Sequence, residues 1–464
     1  MKEEKELIYL IGAFERDNIG DIIFPHIVKK CLPKYQFILI SPIFSNLRKI
    51  GGDYVVSKKN IKLINKKPKC VIYCGGETIT CNMEYALEMD SLISSNTANS
   101  KIYTKYLTSD NNNLGYLYDH KSLNISNKVP MGSISIGGSN ENNYKNEKFN
   151  KLIKRLLNEH KIIIVRDKFT KNYIKHYLNI DSNISPDIVS LISETHIEKI
   201  KKEKNNIDCI KKKEPYIVFQ ANKDFIDKNN FKKIAIKISE FAIKNKKNIV
   251  LLPAGLAKNH DSMKYYIKIE NFLKKQNKIK TFIFNDKNIW RKIALLSESY
   301  CNICTSLHFK IISDSFLIPS ICLENQKVLN YLKSWPNKQH FYCQSIKDIS
   351  KFNKQIENFN KSKFKEYEDQ LKEKTLENLE LFFKRMNLNY SFEFTKNKES
   401  RIDDKSYINF LLKNLENDQQ TILNFIDSNS NLFEELNIIK SSKFFKLWPI
   451  YCKLKKILKI NETK

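Results

Sequence analysis

The stretch that decides the fold is Tyr300–Leu323, YCNICTSLHFKIISDSFLIPSICL. Its first residues, Tyr300–Cys304, form an apolar run of strand length. Thr305 and Ser306 make a polar step, a helix is expected from about Leu307, and a second strand after Pro319. Ser306 suits the N-cap, because its hydroxyl can accept an amide of the first helical turn. His308 then lies in that turn, beside amides that have no partner inside the helix. A helix N-terminus after a parallel strand favours an anion. A titratable ring placed there can move a proton on a bound phosphate or carboxylate. A lone histidine in a first turn is more often a capping or packing residue, and these few residues do not separate the two readings.

Working outward, the same alternation of strand and helix runs through most of the chain. Leu7–Ile11 reads as a buried parallel strand, followed by the polar turn FERDNIGD and a helix from about Ile22 to Cys31. Asn18, Gly20 and Asp21 fall in that turn, on the ligand side of an open α/β sheet. The spacing is not GxGxxG, which removes support for a dinucleotide site. A tight turn with Asp21 as the helix cap explains the same residues. Strands follow at Phe37–Ser41, Tyr54–Val56, Lys69–Cys74 and Met131–Ile136. Gly75 and Gly76 end the Lys69–Cys74 strand, where paired glycines let backbone approach a ligand closely. The strand Lys161–Val165 delivers Arg166 and Asp167, a helix covers Phe169–Leu178, and Asp187 closes a short strand and turn. Residues 92–128 are polar and read as helix ends and a long loop able to lie over a cleft.

The pattern restarts after a lysine-rich segment, with strands at Tyr216–Gln220, Asn248–Pro253 and Thr281–Phe284 before the opening stretch. The expectation is an α/β protein of two Rossmann-like domains, with mostly parallel sheets facing a cleft. The boundaries are residues 1–198, a linker at 199–214, residues 215–386, and a helical, basic extension at 387–464. The helix near Lys363–Met386 either closes the second domain or crosses back to the first.

Composition narrows the class. The chain has 464 residues, long enough for two domains with real cores. No apolar run is long enough to cross a bilayer. The first residues mix acids and lysines and lack a signal-peptide pattern, so a cytoplasmic protein is expected. The formal net charge of +29 raises nucleic-acid or anionic-membrane binding. The lysines are spread over every segment without an arginine-rich stripe, so no nucleic-acid partner is expected. Ten cysteines include Cys301 and Cys304 as a CxxC, yet these lie in apolar strands with no second pair. Core packing accounts for them, and no metal site is expected. In the tail, residues 440–460 mix aromatics and lysines at roughly helical spacing. Such a segment either lies in a membrane interface, peripheral at the inner face, or packs on the body. Pro449 interrupts any single helix there.

The order GAFERDNIGD, VIYCGGETI, SISIGGS, IIIVRDKFTKNYIK, SPDIVSLI and CTSLHFKIISDSFLIPSICLENQK resembles the polysaccharide pyruvyltransferase family over about residues 7–330. That resemblance implies a GT-B-like enzyme that transfers pyruvyl from phosphoenolpyruvate to a glycan acceptor, with no cofactor beyond this donor. By position it implies His308 and Arg166 as catalytic residues. It implies substrate contacts at Asn18, Gly20, Asp21, Gly75, Gly76, Asp167, Asp187, Ser306 and Lys327. Many members carry Arg where this chain has Ser306, and others continue with Gly where it has Phe309. A glycosyltransferase of the same shape using a nucleotide-sugar, or a non-catalytic envelope-assembly homologue, remains compatible with the residues. The sequence does not name the acceptor sugar or the oligomeric state.

Overall fold

The computed structural model describes residues 5–64, 66–89, 114–138, 146–212, 214–257 and 260–395. The tail segment 440–460 and most of the 387–464 extension therefore lie outside the described residues.

The first domain is built on strands β1 (Leu7–Ile11), β2 (Gln36–Ser41), β3 (Ser45–Asn46), β4 (Tyr54–Ser57), β5 (Cys70–Cys74), β6 (Met131–Ile136), β7 (His160–Val165) and β8 (Asn183–Ile184). They form one sheet in the order β3-β4-β2-β1-β5-β6-β7-β8. Every pair is parallel except the antiparallel edge pair β3–β4. β1 and β5 are buried along their whole length, as a sheet covered on both faces requires.

The second domain has β9 (Tyr216–Gln220), β10 (Asn248–Leu251), β11 (Thr281–Ile283), β12 (Cys301–Cys304), β13 (Ser320–Leu323) and β14 (Phe341–Cys343). This sheet is wholly parallel, in the order β11-β10-β9-β12-β13-β14. Each sheet thus contains the doubly wound order three-two-one-four-five-six, and each reverses direction once, between β1 and β5 and between β9 and β12. Ligand crevices in open α/β sheets lie outside the strand ends at such reversals.

Local chemistry explains the details. The helix Ile19–Cys31 begins earlier than its apolar pattern indicates, because Asn18 rather than Asp21 is its N-cap. Asp21 is instead inside the first turn, where a carboxylate is favoured by the helix dipole. The opening stretch folds as β12, a cap at Ser306, a helix Leu307–Ser315 and β13. Cys301 and Cys304 are buried and unbonded, in keeping with core packing. The lysine-rich segment after the first domain carries short helices at Ile197–Lys204 and Asp208–Lys211.

The long helix Lys361–Arg385 crosses back to the first domain. The Thr375 and Ser190 hydroxyls are 3.4 Å apart, and Phe382 packs under Gly132 of β6. The described residues beyond it, to 395, are irregular, with the Ser391 amide donating to the Cys31 carbonyl at 2.9 Å. Among the described residues, no helix is long and apolar enough to cross a membrane.

Candidate active site in the interdomain cleft

The two sheet reversals face each other across a cavity of about 290 Å³. The first domain contributes the turn after β1, the glycines after β5 and the end of β7. The second contributes the ends of β9 and β12 and the loop after β10. The domains meet closely at its edge, where the Ile19 amide donates to the Ala254 carbonyl at 3.1 Å.

His308 lines this cavity, nine-tenths buried, and its ring packs against Gly20 and Phe24. Gly20 lies against the Nδ1 side; a Cβ at position 20 would fall 1.8 Å from that nitrogen. Phe24 meets the ring edge-on with centroids 5.4 Å apart. The Nε2 side faces Asp187, whose Oδ2 is 3.8 Å away, too long for a hydrogen bond. Nε2 is thus a buried ring nitrogen without a hydrogen-bond partner among the described residues. Burial depresses the His308 pKa below the ordinary histidine value. Asp187 and Asp21 oppose that shift, and Arg166 and Lys327 add to it.

Asp187 joins two sequence motifs. Its Oδ1 accepts the Val189 amide at 3.0 Å, while Oδ2 lies 3.5 Å from Arg166 Nη1 and faces His308. Arg166 is only 2% exposed and is ion-paired to Glu77 as well as Asp187, with Asp167 at 3.9 Å. Burial would lower its pKa, but these carboxylates outweigh burial and hold the guanidinium charged. Two of its nitrogens, Nη1 and Nη2, meet carboxylates, while Nε has no hydrogen-bond partner among the described residues and the side chain lines the cavity. Asp167 caps the helix Lys168–Tyr173, accepting the Thr170 amide at 2.7 Å.

Asp21 is held on the opposite side of the cavity. Its Oδ2 accepts from Arg16 Nε at 2.8 Å and from Asn18 Nδ2 at 2.7 Å. Burial disfavours its charge, yet Arg16 and His308 outweigh burial and keep its pKa below the ordinary carboxylate value. Gly75 and Gly76 both take positive φ, +72° and +70°. A side chain at 75 would also strike the Phe24 ring that supports His308. Gly76 lines the cavity itself.

Ser306 caps its helix as expected, its hydroxyl accepting the Phe309 amide at 3.4 Å. The amides of Leu307 and His308 have no partner among the described residues and stand at the cavity wall. Phe309 is fully buried in the core, so its bulk is directed away from the cleft. Lys327 opens the helix Gln326–Ser334 at the cavity rim, exposed and without an ion pair among the described residues.

Sequence reading missed four cavity residues of consequence: Arg16, Gln220, His260 and Asp261. Gln220 ends β9 and its Oε1 accepts the Thr305 and Ser306 amides, each at 3.0 Å. Its Nε2 donates to Asp261 at 2.7 Å. Placement at a strand end beside a reversal is the signal that would have found Gln220, but it needs the strand order. Among the described residues, no group of three or more acidic, histidine or cysteine side chains is placed to hold a metal ion.

Two doubly wound domains with their reversals opposed define a GT-B-like α/β protein whose cleft holds His308, Lys327 and the start of the helix Leu307–Ser315. A family model described as polysaccharide pyruvyl transferase matches residues 18–327, and the chain belongs to that family. No curated protein matches the chain by sequence. Among solved structures, it is similar to the UDP-N-acetylglucosamine 2-epimerase of Rickettsia bellii, at 12% identity and a TM-score of 0.49, over 82% of this chain and 97% of that one. It is also similar to the UDP-GlcNAc 2-epimerase of Neisseria meningitidis bound to UDP-GlcNAc, at 14% identity and a TM-score of 0.47, over 82% of this chain and 100% of that one.

Proposed function

We propose that this protein transfers a pyruvyl group from phosphoenolpyruvate to a sugar of a cell-surface polysaccharide or its precursor. Family membership supports pyruvyl transfer onto polysaccharide. The observation that carries the donor assignment is the composition of the cleft around His308. A buried ring nitrogen, two helix amides and the Lys327 ammonium, all without partners among the described residues, meet at one cavity. This is a site for a small, highly charged anion that must also receive a proton.

Burial depresses the His308 pKa and so disfavours its imidazolium. A phosphate and carboxylate bound beside it would favour the imidazolium. The acid therefore forms when the donor arrives. His308 protonates C3 of the enol while a sugar oxygen bonds to C2. Asp187, whose Oδ2 lies 3.8 Å from Nε2, stabilises the imidazolium. Lys327 and the Leu307 and His308 amides hold the donor's anionic groups. Arg166 acts at one remove, fixing Glu77 and Asp187 and so the position of His308.

Ligand-induced thermal stabilisation tests the donor. Phosphoenolpyruvate is expected to raise the melting temperature, and a panel of nucleotide-sugars to leave it unchanged. Stabilisation by a nucleotide-sugar alone would replace this reading with glycosyl transfer.

A further inference from the structure

Forming a cyclic pyruvate ketal removes two hydroxyl protons from the acceptor. One hydrogen must end on C3 and the other must leave with phosphate. His308 can supply and recover a single proton, so a second proton carrier is needed in the same cleft. Resting on the pyruvyl reading, we propose that His260 is that carrier: the general base for the first acceptor hydroxyl, paired with His308 as the acid.

His260 lies in the loop after β10 and lines the same cavity as His308. Its backbone is fixed at both ends. The His260 amide donates to the Ala257 carbonyl at 3.0 Å, and its own carbonyl accepts the Lys223 amide at 2.9 Å. The next residue, Asp261, ties the loop down, its Oδ2 accepting the Ala254 amide at 2.7 Å and its Oδ1 accepting from Gln220 at 2.7 Å. Gln220 in turn holds the turn that carries His308, so one amide side chain sets the relative position of the two rings. Within this rigid frame, His260 Nε2 is buried and has no hydrogen-bond partner among the described residues.

The charged groups around the two rings differ in the sense that acid and base roles require. Asp187 and Asp21 face His308 and favour its imidazolium, against Arg166 and Lys327. Arg16 and Lys327 act with burial on His260, against Asp21, and His308 itself adds to the depression, so its pKa falls to about 3. Burial lowers both values, but the nearby carboxylates of His308 favour its charged form, as an acid needs, and the nearby cations of His260 oppose its charged form, as a base needs. A bound anionic donor favours the charged form of both rings.

The proton balance closes. In the first step the acceptor oxygen bonds to C2, its proton passes to His260 Nε2, and the C2–C3 π pair takes the His308 proton to make the methyl group. The C2–O bond to phosphorus then breaks, and phosphate leaves with the electron pair. The second acceptor hydroxyl bonds to C2 and returns a proton to His308. The proton on His260 goes to the departing phosphate, so His260 ends neutral and His308 ends protonated, each as it began the first step.

The test combines nitrogen-15 histidine NMR of the full chain with kinetics of His260→Gln. Phosphoenolpyruvate is expected to raise the titration midpoints of both rings in the wild-type protein. The His260→Gln variant should lose about 10²-fold in kcat. It should also lose the acidic limb of the kcat pH profile, because no base remains to be deprotonated. A His260 resonance that ignores the donor, while His308 responds and phosphate is released, would overturn the role of His260 and leave the pyruvyl reading intact. So would a variant with wild-type kcat and an unchanged acidic limb. If phosphoenolpyruvate perturbs neither ring and no phosphate is released, the pyruvyl reading falls and takes this role with it.

Discussion

Gly20 and His308 come from different domains and fit each other within a methyl group's width. Adding a Cβ at Gly20 would put carbon 1.8 Å from His308 Nδ1, so the ring or the helix must move. Gly20→Ala is expected to leave the fold intact, by circular dichroism, and to lower turnover about 10²-fold through displacement of the ring. Wild-type turnover in that variant would mean that the position of His308 is not critical. Replacing His308 itself with Ala should cost about 10²–10⁴-fold in kcat if it moves the proton; an unaffected variant removes that role. Individual residues were unevenly legible in the sequence. His308, Asp187 and Asp21 could be singled out because each follows a strand or turn signal. The place of Arg166 at a strand end was legible, but its partners were not. Only the fold brings Glu77, 89 positions earlier in the chain, against its guanidinium. His260 carries no local signal, because its significance lies in an unpartnered nitrogen inside a cavity.

At the scale of elements, the turn between β12 and the helix Leu307–Ser315 is the part on which the site depends. Ser306 supplies the cap, and Gln220 accepts the two amides before it. Gln220→Ala leaves those buried amides without a partner and unties Asp261, at a cost of about 1–3 kcal/mol. The expected result is a lower melting temperature together with a raised KM for the donor; a change in stability with unaltered KM would separate the turn from donor binding. This element was readable from its apolar run, polar step and cap residue, because all three are local. The start of the helix Ile19–Cys31 was not. Asn18 and Asp21 are both good N-terminal residues, and only the hydrogen bonds show that Asn18 caps while Asp21 is held by Arg16. The short edge strands β3 and β14 were also missed, since two or three residues carry no usable period.

The whole molecule rests on repetition of one topology. Alternating strands and helices made two parallel α/β domains predictable, since only crossover helices join parallel strands. The strand order could not be read, because buried parallel strands are all short apolar runs and nothing in them specifies neighbours. Order matters here, since it puts both reversals on one cleft and brings residues of 16–21, 76–77, 166, 220, 260–261 and 305–308 together. The same limit applied to the helix Lys361–Arg385. Its amphipathic pattern shows a face to bury but not which domain buries it, and it returns to the first.

The most direct test is to incubate the full chain with phosphoenolpyruvate and candidate surface glycans, measuring phosphate release and pyruvylated glycan by mass spectrometry. The wild-type protein is expected to release one phosphate for each pyruvyl group gained, and the His308→Ala variant to lose both products together. Phosphate release and ketal formation that continue unchanged without His308, or glycan modification only with a nucleotide-sugar, would contradict the account.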